Sequence, residues 1–530
     1  MSAALVCIDT PLSHKLLKST GLVGGFTLLS RILGFARDLI IAGTFGANAG
    51  TDAFFVAFKI PNFLRRLFAE GAFAQAFVPV LSDYRERGDA AATRLFVAHL
   101  TGGFALILSL LTALGMIAAP VLIWLFAPGF HSQPEKYGLS VELLRLTFPY
   151  LFFICLTALA GGVLNTWNHF AIPAFTPVLL NLCMITAALG LAPRLERPIE
   201  ALAWGVLAAG ILQLAVQLPM MKQMGLLPRP RLDWKDPGVR RVLRLMAPAL
   251  LGASVGQLNL LINTLIASLL TTGSISWLYY SDRLVEFPLG LLGVGLATVI
   301  LPHLSRTEAR NDRRAFAEAL DWALRWLMLV GLPATLGLIL LAEPLMYTLF
   351  QHDQFSPEDA RMAARSLMAY GIGLMGFLGV KILVPGFSAR QDLTTPARFA
   401  VYSVAVNLLL SLLLTLVIAP AGWRHAALAL AASLASLCNA GLLGVRLIRL
   451  GVYRTRPGHA TFLGRVLIGN LALAGTLMAA TQMLGWEPLG PAHRAMQLLF
   501  CITLGMAVYG AALWLSGLRP RHLALSGEPA

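Results

Sequence analysis

Along most of this 530-residue chain, apolar residues continue for about 20 positions before Gly, Pro or a charged cluster interrupts them, the length an α-helix needs to cross the hydrocarbon of a bilayer. Such runs fall near residues 20–43, 51–82, 94–126, 139–164, 173–192, 200–221, 241–270, 275–304, 320–350, 362–388, 396–418, 425–448, 462–484 and 495–516. Several exceed one span, which implies tilt or a helical extension into the aqueous layer. The pattern predicts an all-α polytopic membrane protein with 14 transmembrane helices.

Composition narrows this further. Hydrophobic residues make up 57% of the chain and charged residues only 13%, too few to cover a large water-soluble fold. Yet 41 Lys+Arg against 26 Asp+Glu leave a net charge of +15. With a cytoplasmic N-terminus, 26 of the basic residues fall in inside segments, including Arg85, Arg87, Arg94 and the stretch from Lys222 to Arg244. Six fall in outside loops: Lys136, Arg194, Arg197, Arg361, Arg424 and Arg494. The remaining nine lie within predicted spans. By the positive-inside rule both termini are cytoplasmic.

An internal repeat organises the helices. Val78-Pro79-Val80-Leu81-Ser82 matches Leu301-Pro302-His303-Leu304-Ser305 at an offset of 223, and Pro173-Ala174 matches Pro396-Ala397 at the same offset. Pro120 and Phe126 match Pro344 and Phe350 at 224. A six-helix unit enters the membrane twice from the same side, so two parallel lobes with a central cavity are expected. Residues 1–14 form a short extension, 15–225 the N-lobe of helices 1–6, and 226–450 the C-lobe of helices 7–12. Residues 451–530 add helices 13 and 14 and a cytoplasmic tail.

Charges inside the spans are the candidate functional residues, because a charge at mid-bilayer costs at least about 2.5–3.5 kcal/mol and so faces a partner or a polar cavity. Helix 1 carries Arg31, Arg37 and Asp38. Helix 2 carries Asp52, Lys59, Arg65, Arg66 and Glu70, helix 8 carries Asp282, Arg283 and Glu286, and helix 10 carries Lys381. On an ideal helix Asp52, Lys59, Arg66 and Glu70 share one face, and Pro61 offers a kink that could redirect Arg65. Helix 7, the repeat partner of helix 1, offers only Gln257, Asn259 and Asn263. The cavity is therefore expected to be asymmetric, with the larger positive charge on the N-lobe. Basic residues in excess call for an anionic substrate, and the planar fork of Arg suits phosphate. The alternative, structural ion pairs joining helices, applies to some of these residues.

Other features add less. Cys7, Cys155, Cys183, Cys438 and Cys501 show no ligand spacing and read as packing thiols. No P-loop and no metal-ligand cluster occurs, so no cofactor and no nucleic acid is expected, and no residue pattern specifies a coupling ion. Asn259, Asn263, Asn407 and Asp392 are candidates for a cation site near the C-lobe, against the simpler reading of helix packing. Gly290, Gly293 and Gly295 read as a packing face. The basic inner loops are suited to acidic membrane lipids.

Three motifs carry a family resemblance. Ser30-Arg31-Ile32-Leu33-Gly34-Phe35-Ala36-Arg37-Asp38 resembles the first helix of the lipid II flippases, the MurJ family, formerly MviN. Thr51-Asp52-Ala53-Phe54-Phe55-Val56-Ala57-Phe58-Lys59-Ile60-Pro61-Asn62, continuing through Arg65-Arg66-Leu67-Phe68-Ala69-Glu70-Gly71-Ala72-Phe73, resembles the second. Ser281-Asp282-Arg283-Leu284-Val285-Glu286-Phe287-Pro288-Leu289-Gly290 is similar to the eighth. The resemblance implies a member of the multidrug/oligosaccharidyl-lipid/polysaccharide exporter superfamily, a transporter and not an enzyme. It would move undecaprenyl-diphosphate-MurNAc-pentapeptide-GlcNAc from the inner to the outer leaflet of the bacterial cytoplasmic membrane for peptidoglycan synthesis, by alternating access. The implied cavity charges are Arg31, Arg37, Asp52, Arg65, Arg66, Glu70 and Arg283, with Asp282 and Glu286 beside them. The implied role of helices 13 and 14 is a groove for the lipid tail, and cell-wall synthesis or division proteins are candidate partners. Two alternatives stay open: a flippase for another polyprenyl-diphosphate glycan, and a drug/cation antiporter of the same superfamily.

Overall fold

The structure is a computed structural model that describes residues 11–453, 458–486 and 490–519. Within these ranges the side chains of 11–20, 69–72, 74, 247–249, 251–258 and 294 are not described. The described residues form helices and turns, with no strand among them. Helix α1 is Pro11–Phe45, and α2 is Ala49–Arg65, continued by a π turn at Arg66–Phe73 and a helix at Ala74–Glu86. There follow α3 (Ala90–Ile117), α4 (Pro134–Thr166), α5 (Ala171–Arg194), α6 (Glu200–Gln223), α7 (Pro237–Ser268) and α8 (Ser274–Ala309). The remainder are α9 (Arg313–Leu340), α10 (Pro357–Ser388), α11 (Thr394–Ile418), α12 (Ala421–Arg449), α13 (His459–Met483) and α14 (Pro491–Leu515).

Among the described residues, eleven of these, α3 to α6 and α8 to α14, are long and apolar enough to cross a membrane. Helices α1 and α2 are the charge-bearing helices of the first half, and α7 holds the polar Gln257, Asn259 and Asn263. The charge that marks α1 and α2 as candidates also interrupts their apolar windows. Helix α8 retains a long apolar stretch beyond Glu286 and so qualifies despite its charges.

Elements recur 223 residues apart. Asp89 caps α3 by accepting from the amides of Ala91 and Ala92, and Asp312 caps α9 by accepting from Ala315. Pro134 and Pro357 open α4 and α10, where the missing N–H is harmless. Short helices at Ala119–Phe126 and Ala342–Leu349 follow α3 and α9. Packing recurs as well: α2 lies along α4 and α8 along α10, while α5 packs on α6 and α11 on α12.

The chain divides into two compact units, Met1–Phe45 with Ala49–Gln257, and Gly46–Asn48 with Leu258–Ala530. The division falls inside α7. The segment before α7 and the start of α7 are tied to α3 and to the helix before it. The Arg231 amide donates to the Ala98 carbonyl at 3.1 Å, His99 Nδ1 lies 2.8 Å from Asp236 Oδ2, and Arg241 pairs with Asp83 at 2.6 Å. Burial of Tyr84 under this segment, reinforced by the Asp236 carboxylate, pushes its phenol above the ordinary range. In the second unit α13 and α14 form a hairpin that packs on α9 and on the short helix after it.

Several expectations are corrected in position. Lys136, Arg361, Arg424 and Arg494 are not loop residues but lie near the starts of α4, α10, α12 and α14, and Arg194 is the last residue of α5. Helix α2 runs on through Pro61 without unwinding, and the irregularity is the π turn that starts at Arg66.

Candidate functional site

The in-span charges range from buried pairs through half-buried groups to exposed ones. On α1, Arg37 and Asp38 are 6% and 1% exposed. Arg37 donates to Asp38 Oδ1 from Nε at 2.9 Å and from Nη2 at 2.7 Å, and from Nη1 to Asn181 Oδ1 of α5 at 3.0 Å. Asn181 Nδ2 donates in turn to the Ser30 carbonyl at 2.9 Å. The guanidinium fork is thus occupied by the protein, and a buried charge is neutralised where two helices meet. Arg31, six residues earlier, is exposed and makes no hydrogen bond or ion pair among the described residues.

Asp52, at the start of α2, is 1% exposed and accepts from Lys136 Nζ of α4 at 2.9 Å. The same ammonium sits 4.2 Å from the centre of the Phe130 ring, a cation–π contact that compensates its desolvation. Lys59 is half-buried, and Arg65 donates from Nε to Asn62 Oδ1 at 2.8 Å, one turn back. Arg66 is exposed and, among the described residues, unpaired. Asp52 and Arg66 share a helix face but stand about 21 Å apart along the axis, so depth rather than face decides that one is buried and the other open. The side chain of Glu70 lies outside the described residues.

On α8, Arg283 is 33% exposed. It donates from Nη1 to Glu286 Oε2 at 2.7 Å and from Nη2 to the Tyr279 hydroxyl at 3.0 Å, with its guanidinium carbon 4.9 Å from that ring's centre. Tyr279, Arg283 and Glu286 occupy one helix face, which holds the guanidinium in a set orientation. Asp282 and Glu286 are exposed. One turn beyond, α8 becomes a π turn at Leu289–Gly293, and the stem of Lys381 from α10 lies against Gly293. A Cβ at Gly293 would approach Lys381 Cδ to 2.8 Å, so the residue without a side chain lets the lysine cross here.

The three amides named as candidate cation ligands hydrogen-bond to one another, as the helix-packing reading expects. Asn407 Nδ2 donates to Asn263 Oδ1 at 2.9 Å and to Asn259 Oδ1 at 3.3 Å. Asp392 caps the start of α11, accepting from the Thr395 amide at 3.0 Å and the Thr394 hydroxyl at 3.0 Å. The hydrogen bonds from Thr395 hold its carboxyl below the usual range.

Tyr279, Asn181 and Asn62 take part in these clusters and are not among the sequence candidates, and Lys136 is named there only as a loop residue. Tyr279 had a readable signal, its i, i+4, i+7 spacing with Arg283 and Glu286. Asn181 had none, being 144 residues from Arg37 within an apolar run.

The family model described as Lipid II flippase MurJ matches residues 41–491. The chain belongs to this family. A probable lipid II flippase MurJ of Vibrio cholerae serotype O1 is 43% identical over 528 residues, covering 98% of this chain and all of that protein. The lipid II flippase MurJ of Burkholderia cenocepacia is 42% identical, covering 94% of this chain and 96% of its own length. Among solved structures, a lipid II flippase MurJ in an inward closed conformation superposes with a TM-score of 0.76 at 26% identity, over 93% of this chain and 98% of that one. An inward-facing MATE family multidrug transporter of the MOP superfamily gives 0.63 at 13% identity, over 80% and 95%, a likeness of fold alone. The MurJ motifs at Arg31–Asp38, Asp52–Phe73 and Asp282–Glu286 thus lie in a chain related to the family over nearly its full length.

Proposed function

We infer that this MurJ family member is a flippase that carries lipid II from the inner to the outer leaflet of the cytoplasmic membrane. The observation that carries the reading is full-length relatedness to lipid II flippases, joined to basic residues set within apolar helices. Arg31, Arg66 and Arg283 receive the diphosphate. Their planar forks match its oxygens; Arg31 and Arg66 are exposed, while Arg283 is partly exposed and would exchange its contacts with Glu286 and Tyr279 for the anion. Lys59, Arg65, Asp282 and Glu286 contribute to the same polar surface, as does Glu70. Arg37 and Asp52 position α1 and α2 through their buried pairs.

The finer architecture follows from the same reading. Helices α1, α2 and α7 complete 14 spans, grouped as two six-helix lobes with a central cavity plus α13 and α14, which hold the lipid tail. The basic loops set both termini in the cytoplasm. A diphosphate headgroup cannot cross hydrocarbon unaided while its tail can remain in lipid, and this division of labour needs no covalent step. Depleting the protein should cause lipid II to accumulate in the inner leaflet. Unchanged lipid II, with another polyprenyl-diphosphate glycan accumulating, would favour the alternative substrate.

A further inference from the structure

Helix α9 differs from its repeat mate α3 in a way that the repeat itself does not explain. Asp321 and Arg325 stand 223 residues after Ala98 and Gly102, so a buried ion pair occupies the place of two small residues. Asp321 is 1% exposed, and its Oδ2 lies 2.8 Å from Arg325 Nε. Its Oδ1 accepts from the Tyr453 hydroxyl at 3.1 Å and lies 3.6 Å from His459 Nδ1. Tyr453 lies shortly after α12, and His459 is the first residue of α13. Arg325 also stacks on Phe462 of α13, 5.5 Å from the ring centre. One carboxylate on α9 therefore gathers the start of the C-terminal hairpin.

The middle of α9 is specialised too. The π turns at Arg66–Phe73 and Leu289–Gly293 begin 223 residues apart, so those two are repeat mates. The π turn at Leu327–Gly331 has no such mate, because α3 is continuous α-helix through residues 104–108. A π turn frees a backbone carbonyl from the i+4 pattern. Here Leu329 O accepts from the Tyr509 hydroxyl of α14 at 2.7 Å. Tyr509 reaches it past Gly469 of α13, where a Cβ would come within 2.9 Å of the ring. At the far end, Arg494 of α14 donates to the Tyr347 carbonyl at 2.8 Å and to Gln351.

We propose that Asp321 and Tyr509 are positioning residues that fix the register of the α13–α14 hairpin on α9, and that this register sets how the transporter handles the lipid tail. Apolar packing alone is a poor register device in hydrocarbon, where sliding one leucine past another costs little. Directed polar contacts at the two ends and the middle remove that freedom. The proposal rests on the reading of α13 and α14 as the tail-holding element, and the test separates the two.

The full-length protein, reconstituted in vesicles, is to be assayed for outward transfer of lipid II and of a short-tailed analogue bearing the same headgroup. Tyr509→Phe removes one hydroxyl and keeps the ring, and Asp321→Asn keeps an acceptor for Tyr453 while removing the charge. Each variant's thermal unfolding is measured alongside. Wild type is expected to transfer the long-tailed substrate faster than the analogue. Tyr509→Phe should slow the long-tailed substrate about fivefold, in line with one lost hydrogen bond, and leave the analogue unchanged, with Asp321→Asn more severe in the same sense. Wild type that treats both tails alike would defeat the tail-holding reading and the proposal with it. Wild type that discriminates, with variants that discriminate equally or lose both substrates in parallel, would overturn the proposal alone.

Discussion

The first and fifth helices of each repeat meet through a side-chain cluster, and the two clusters differ in kind. In the first half, Arg37 and Asp38 of α1 meet Asn181 of α5. In the second, Asn259 and Asn263 of α7 meet Asn407 of α11. Both join the same pair of elements, so joining helices does not require charge. The buried charge in the first half has another consequence: it fixes α1, and with it Arg31, by a contact that is costly to break. An amide cluster holds its helices with neutral hydrogen bonds and leaves the junction easier to separate.

Removing one side of the charged junction should have the largest effect. Asp38→Leu strands the Arg37 guanidinium and is expected to cost about 3–5 kcal/mol, seen as a large fall in thermal unfolding temperature in detergent. Asn407→Leu should cost about 1–3 kcal/mol in the same measurement. Equal losses would erase the distinction between the halves. A parallel contrast exists between α2–α4 and α8–α10. Lys136→Met breaks a buried pair and should approach the loss seen for Asp38→Leu. At the corresponding place Asp359 accepts from Trp277 Nε1 at 2.8 Å and forms a capping box with Ser356, so Asp359→Asn should cost about 1 kcal/mol.

The exposed arginines should behave in the opposite way. Arg31→Gln and Arg66→Gln are expected to shift stability by no more than about 0.5 kcal/mol, and each to lower lipid II transfer in vesicles by about tenfold or more. A variant that lost stability and transport together would belong with Arg37 instead. The smallest effect is expected at Asp392→Ala, about 0.5–1 kcal/mol for a lost helix cap and no change in transport. A loss of transport there would reopen its place in an ion site.

The helices were legible because spans of apolar residues and their Gly, Pro and charged boundaries are local properties, and the repeat was legible because Pro79/Pro302 and Pro173/Pro396 keep one spacing. Which charge was buried was not legible. Arg31 and Arg37 look alike in sequence, and only Asn181, far along the chain, separates them. Lys136 looks like a topology marker because a lysine near a span end usually is one, and its partner Asp52 lies 84 residues away. The contacts of residues 231–241 with α3 and the helix before it join residues more than 100 apart, and no local pattern announces them.

The most direct test is Arg283→Glu, which reverses the charge of a partly exposed guanidinium oriented by Tyr279 and Glu286. Outward transfer of lipid II should be abolished in reconstituted vesicles while thermal unfolding stays near that of the unaltered protein. Transfer that persists with Glu at this position would contradict the assignment of Arg31, Arg66 and Arg283 to the diphosphate.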